Sequence, residues 1–107
     1  MSFTAVTITA TYKDATGAEL TGTVAFELTG PMRDGTSGPI IPPTLISETL
    51  VSGSLPDDFT LYGNDDSTTQ PQGVQYKVSE SVGGFSRQYN ITVPHGAGSI
   101  DLSALAP

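Results

Sequence analysis

At 107 residues and 36% apolar content, the chain is long enough for one domain, 1–107, around a single core. Eleven acids against Lys13, Arg33, Lys77 and Arg87 give a net charge of −7, which excludes the clustered cations that a nucleic-acid surface needs. Cys is absent, which excludes disulfides, thiolate chemistry and cysteine-ligated zinc, and no window reaches transmembrane length.

Gly 12 and Pro 8, with Thr, Val and Ile dominating the periodic stretches, favour an all-β domain with many turns. The N-terminus lacks the basic leader and apolar segment of a signal peptide. Thr4 to Tyr12 alternates, with Val6, Ile8, Ala10 and Tyr12 on one face and threonines on the other, as a half-buried strand does. Asp14-Ala15-Thr16-Gly17 is a turn in which Asp14 bonds the backbone ahead. Thr23 to Thr29 is a second strand with Val24, Phe26 and Leu28 inward, reached by a hairpin or a change of sheet.

Gly30 to Pro39 has no period and reads as a surface loop. Ile40-Ile41-Pro42-Pro43 is an edge, a bulge or a polyproline-like arm, because a diproline cannot sit in a central strand. Its isoleucines are either tucked under the sheet or presented to a partner. Thr44 to Val51 carries apolar residues on both faces, which predicts cover on both sides over part of its length. Ser52-Gly53-Ser54 turns the chain into Leu55–Tyr62, a strand interrupted at Pro56-Asp57-Asp58. Gly63 to Gly73 is a polar loop.

Gly73 to Pro94 is the clearest element. Val74, Tyr76 and Val78, then Phe85, Arg87, Tyr89, Ile91 and Val93, alternate with polar residues around Gly83-Gly84, which predicts two antiparallel strands and a two-residue turn. Such a hairpin is marginal alone and must rest on other strands. Ser99 to Leu102 is a short last strand, and Asp101 is placed to cap a helical turn through Ala106. About seven strands at this spacing predict an antiparallel two-sheet sandwich, immunoglobulin-like or related.

Few residues suggest chemistry. Asp65-Asp66, with Asp57-Asp58 upstream, offers oxygens to Ca²⁺, but lacks the alternating spacing of an EF-hand; turn hydrogen bonds explain these residues more simply. His95, the only histidine, reads as an exposed turn residue, since zinc needs three or four ligands and a triad needs two more groups. Glu27, Glu48 and Glu80 lie on strands, where they solvate a face or pair with Lys77 and Arg87. Arg87 falls in an apolar alternation, so its stem can cross the hydrophobic face while its head reaches a carboxylate, an aromatic ring or a neighbouring subunit. No catalytic residue, metal site or cofactor is expected.

The frame VTITATYKDATGAELTGTVAFELTG, then IIPP, then DDSTTQPQGVQYKVSE and RQYNITVPHGAGSIDLSALAP resembles a small β domain of virion proteins in tailed bacteriophages of high-GC Gram-positive hosts. The most specific parts are P-x-G-x-x-Y-x-V-x-E at Pro71 to Glu80 and D-L-S-x-L-x-P at Asp101 to Pro107. The resemblance implies a non-enzymatic structural module located in the virion. Since the chain ends at Pro107 rather than continuing into a fibre shaft, the expectation is a capsid decoration protein. Its partners would be the major capsid protein or other virion proteins, and it would form a homo-oligomer such as a trimer. A minor-tail, tail-fibre or host-adhesion module is the alternative. A carbohydrate- or Ca²⁺-binding module using Tyr62, Tyr76 or Tyr89 beside Asp65-Asp66 is a third. The expected contacts are Pro39, Ile40, Ile41, Pro42, Pro43, Leu102, Leu105 and Pro107.

Overall fold

A computed structural model of the chain describes residues 5–35, 38–65, 67 and 69–106. The described residues form ten strands. Seven belong to two larger sheets. The first has three strands in the order β10 (Ser99–Asp101), β1 (Ala5–Thr9), β6 (Thr60–Tyr62). The second has four, in the order β5 (Ile46–Thr49), β2 (Gly22–Leu28), β8 (Tyr76–Val82), β9 (Phe85–Ile91). The chain changes sheet between β1 and β2.

The inward faces meet as the alternation requires. Val6 and Ile8 of β1 and Leu61 of β6 join Val24, Phe26, Val78, Val82 and Ile91 of the facing sheet in one buried cluster. Phe26 and Phe59 stack with ring centroids 5.0 Å apart. Full burial of each such side chain stabilises by roughly 1.5–3 kcal/mol. The result is an all-β architecture compatible with a two-layer sandwich.

The β8–β9 hairpin holds the expected register, from Tyr76 opposite Ile91 to Val82 opposite Phe85. Gly83 and Gly84 have φ of 57° and 82°, the pair of positive values that a tight hairpin turn of matching twist demands. At the first turn Asp14 Oδ1 accepts from the amides of Thr16 at 2.8 Å and Ala18 at 3.0 Å. Asp101 caps a 3-10 turn at Leu102–Ala104 by accepting from the Ser103 amide at 3.0 Å.

Three findings correct the sequence reading. The strand count exceeds seven, because β3 (Met32–Asp34), β4 (Ile40–Ile41) and β7 (Thr69–Gln70) form a third small sheet, β4-β3-β7. Strands of two or three residues have no period to read. The pairing is also not wholly antiparallel, since β1 runs parallel to β10 with Thr7 opposite Ser99. Finally, β5 is an edge strand with Leu45 and Val51 exposed beside it, not a strand covered on both sides.

Candidate functional site

Among the described residues, charge enters the interior at one place. Along β8 the inward positions are Tyr76, Val78, Glu80 and Val82, and the register sets Glu80 between Val24 on one side and Arg87 on the other. Glu80 is therefore 3% exposed, and of its two expected roles, solvating a face or pairing with a cation, it takes the second, with Arg87. Its Oε1 accepts from Arg87 Nε, and its Oε2 accepts from the phenols of Tyr12 and, at 3.0 Å, Tyr89. The Arg87 guanidinium lies 4.8 Å from the Tyr89 ring centroid and 5.8 Å from that of Phe85, so it reaches both the carboxylate and the rings.

Burial, with the hydrogen bond to Glu80, pushes the Tyr12 phenol far above its ordinary range. Burial, then the charge of Glu80, does the same to Tyr89. The Glu80 hydrogen bond raises Arg87 further. Donors from this chain occupy both carboxylate oxygens, so the cluster ties β8, β9 and the segment after β1 together. A cavity of about 190 Å³ adjoins it, lined in part by Thr11, Asp101 and Ser103.

A second polar node ties the loop after β6 to the segment after β9. Asn64 is buried; its Nδ2 donates to the Val74 carbonyl at 2.5 Å, and its Oδ1 accepts from the Val93 amide at 2.7 Å. Beside it Asp65 Oδ1 accepts from the His95 amide at 2.9 Å and lies 2.6 Å from His95 Nδ1. Burial works to raise the Asp65 carboxyl, but the contacts from His95 outweigh it and hold the group below its usual range. Asp65 and His95 thus serve each other and the backbone. Among the described residues no three His, Cys, Asp or Glu side chains gather as a metal site, and Asp66 lies outside them.

The third feature is apolar. A cleft of about 310 Å³ opens between the edge strands β5 and β6, where the two larger sheets part. Phe26, Leu28, Leu61 and Tyr76 form its floor, Ile46 and Tyr62 its two rims, and Ile41 and Pro42 of the arm close one end. Ile40, at 71%, and Leu45, at 66%, are the most exposed large apolar side chains described, and Ile46 and Tyr62 are also exposed.

The expected contact residues divide accordingly. Pro39, Ile40 and Pro43 are exposed, while Ile41 is half-buried against the core and lines the cleft with Pro42. Of the two isoleucines, one is tucked in and one is presented. Leu102, at 2% exposure, is part of the core, because the capped turn points it between the sheets; it offers no surface to a partner. Leu105 is half-buried against the core, and Pro107 lies outside the described residues. The terminal segment follows β10, on the opposite edge of its sheet from β6, so it does not share a surface with the arm. Ile46 and Tyr62 line the cleft beside the arm instead. Of the three tyrosines, Tyr76 is buried, with its hydroxyl donating to the Tyr62 carbonyl at 2.6 Å, Tyr89 is bonded to Glu80, and Tyr62 is exposed.

No protein-family model, curated protein or solved structure matches the chain.

Proposed function

We propose that the chain is a non-enzymatic structural protein of a tailed-bacteriophage virion, docking in many copies on the capsid surface as a decoration. One observation carries the docking: the exposed side chains of Ile46 and Tyr62 line one apolar cleft together with Ile41 and Pro42 of the arm, as at a surface a partner covers. The virion assignment comes from the Pro71–Glu80 and Asp101–Pro107 motifs. The polar clusters support a structural role, because Glu80, Asn64 and Asp65 are bonded to groups of this chain. The major capsid protein is the proposed partner, with copies arranged about the local symmetry of the shell, as trimers for instance.

The decisive experiment mixes purified protein with expanded capsids that lack it. Saturable occupancy that an Ile46→Ser, Tyr62→Ser double variant loses supports the reading. Binding to host cell-wall glycans, with none to capsids, removes it in favour of adhesion. The same motifs suit a minor-tail or fibre module, and labelled antibody on the tail rather than the head would select that alternative.

A further inference from the structure

The strand that carries Ile46 into the cleft also has an open backbone edge. Leu50 donates its amide to the Gly22 carbonyl at 2.9 Å, which fixes the phase of the β5–β2 ladder. Hydrogen-bonded and outward-facing residues alternate along an antiparallel strand, and Leu50, Glu48 and Ile46 oppose Gly22, Val24 and Phe26. The main-chain groups of Ser47 and Thr49 therefore point away from β2, along an edge that no described strand pairs with. An edge of this kind is a template for another strand.

The chain's own arm does not fill it. Ile40 and Ile41 pair with Arg33 and Met32 in the small sheet, and Pro42 and Pro43 lack the N–H groups a ladder needs. A second copy is a poor occupant. Pairing β5 with itself would bring two Glu48 side chains into one four-residue ladder between molecules of charge −7, and inward-pointing charge of this kind blocks edge-to-edge association. None of the four cations lines the cleft. Glu48 sits on β5 itself, and Asp57 and Asp58 lie immediately before Phe59 and β6, while Glu27 on the next strand is set opposite Lys77. The charge complement of this edge is positive.

We propose that β5 captures an extended segment of another protein, apolar at alternate positions and flanked by lysine or arginine, as a fifth strand of the four-stranded sheet. Its outer ladder bonds go to Ser47 and Thr49, and its inward side chains descend on Ile46, Leu61 and Tyr62. This deepens the docking reading and rests on it, giving the partner's contact a form: main-chain bonds supply affinity and alternate side chains supply selectivity.

The test titrates a synthetic peptide of alternating valine and threonine with lysine at both ends into isotope-labelled protein. The expected result is saturable binding, with the largest shifts at the Ser47 and Thr49 amides and slowed hydrogen exchange at both. Thr49→Pro removes an outward N–H and leaves the β2 ladder intact, as proline does at a solvent-facing edge; it should weaken binding by about tenfold or more. Glu48→Gln should weaken it less, and lessen its salt dependence. Shifts confined to other residues, exchange unchanged at Ser47 and Thr49, or a dimer of the free protein that Thr49→Pro dissolves would each overturn the proposal. Capsid occupancy surviving without peptide capture would remove strand addition alone, whereas peptide capture without capsid occupancy would remove the virion reading alone.

Discussion

Tyr89 donates its phenol proton to Glu80 Oε2 at 3.0 Å from the neighbouring strand, at a position whose flanking inward residues Val78 and Val82 are almost wholly buried. A carboxylate at that depth is tolerated because three donors reach it. Removing its charge should be costly: Glu80→Gln exchanges charge-assisted bonds for neutral ones and sets an amide N–H against donors. The expected loss is about 2 kcal/mol, read as a lower urea midpoint with an unchanged slope. Arg87→Met should lose less, since the Arg87 side chain is 37% exposed and its stem is retained. Equal losses would mean that the cluster acts only through the ion pair.

Asn64 is the second buried polar side chain on which the fold depends. Asn64→Ala would leave the Val93 amide and the Val74 carbonyl without their side-chain partner. An orphaned buried polar group costs about 1–3 kcal/mol, so the variant should fall among the more damaging single changes. Thermal unfolding measures it, and a loss below about 0.5 kcal/mol, the scale of ordinary surface changes, would show that water replaces the amide without cost.

The two isoleucines of the arm should separate cleanly. Ile40→Ser alters an exposed side chain and should change stability by no more than about 0.5 kcal/mol, while reducing capsid occupancy. Ile41→Ser strips a half-buried side chain from the cleft wall, and should cost about 1–2 kcal/mol because only part of its burial is lost. Chemical denaturation of the two variants side by side checks the contrast.

Stability should fall at both ends of the pH scale. Asp14, held low by Thr16 and Ala18, and Asp101, held low by Ser103, share with Asp65 a carboxyl depressed in the folded state. Their contribution is present above the ordinary carboxylate range, near pH about 4, and is lost as pH falls through the depressed values. The phenols of Tyr12, Tyr76 and Tyr89 are raised, first of all by burial. Their contribution is complete below the ordinary tyrosine value, near pH about 10, and is lost above it. In an alkaline titration the phenolate absorbance of these three should therefore appear with unfolding, not before it. Ionisation of all four tyrosines with the circular dichroism unchanged would refute the buried placement.

Alternation in the sequence revealed the hairpin, its turn and most inward positions of β1 and β2, because period two survives wherever one face is buried. It also contained Glu80: the same pattern that buries Val78 and Val82 buries the residue between them, and the Gly83-Gly84 register sets Arg87 opposite. Residue type obscured this, since an acid is ordinarily read as facing water. The edge position of β5 was less legible. Leu45, Ile46 and Val51 look alike whether covered or exposed, and pairing order depends on contacts distant in sequence. The small third sheet left no pattern at all, and Leu102 passed for a surface residue because burial by a single capped turn has no period.

β1 and β10 lie side by side and run the same way, with Thr7, Ile8 and Thr9 opposite Ser99, Ile100 and Asp101. Tension applied between residue 5 and residue 101 therefore tries to slide one strand along the other. The ladder, with the Thr7 amide to the Gly98 carbonyl at 2.9 Å, is loaded all at once in shear instead of being peeled open bond by bond. A module joined to its surroundings at these two strands would hold against a steady pull and give way abruptly.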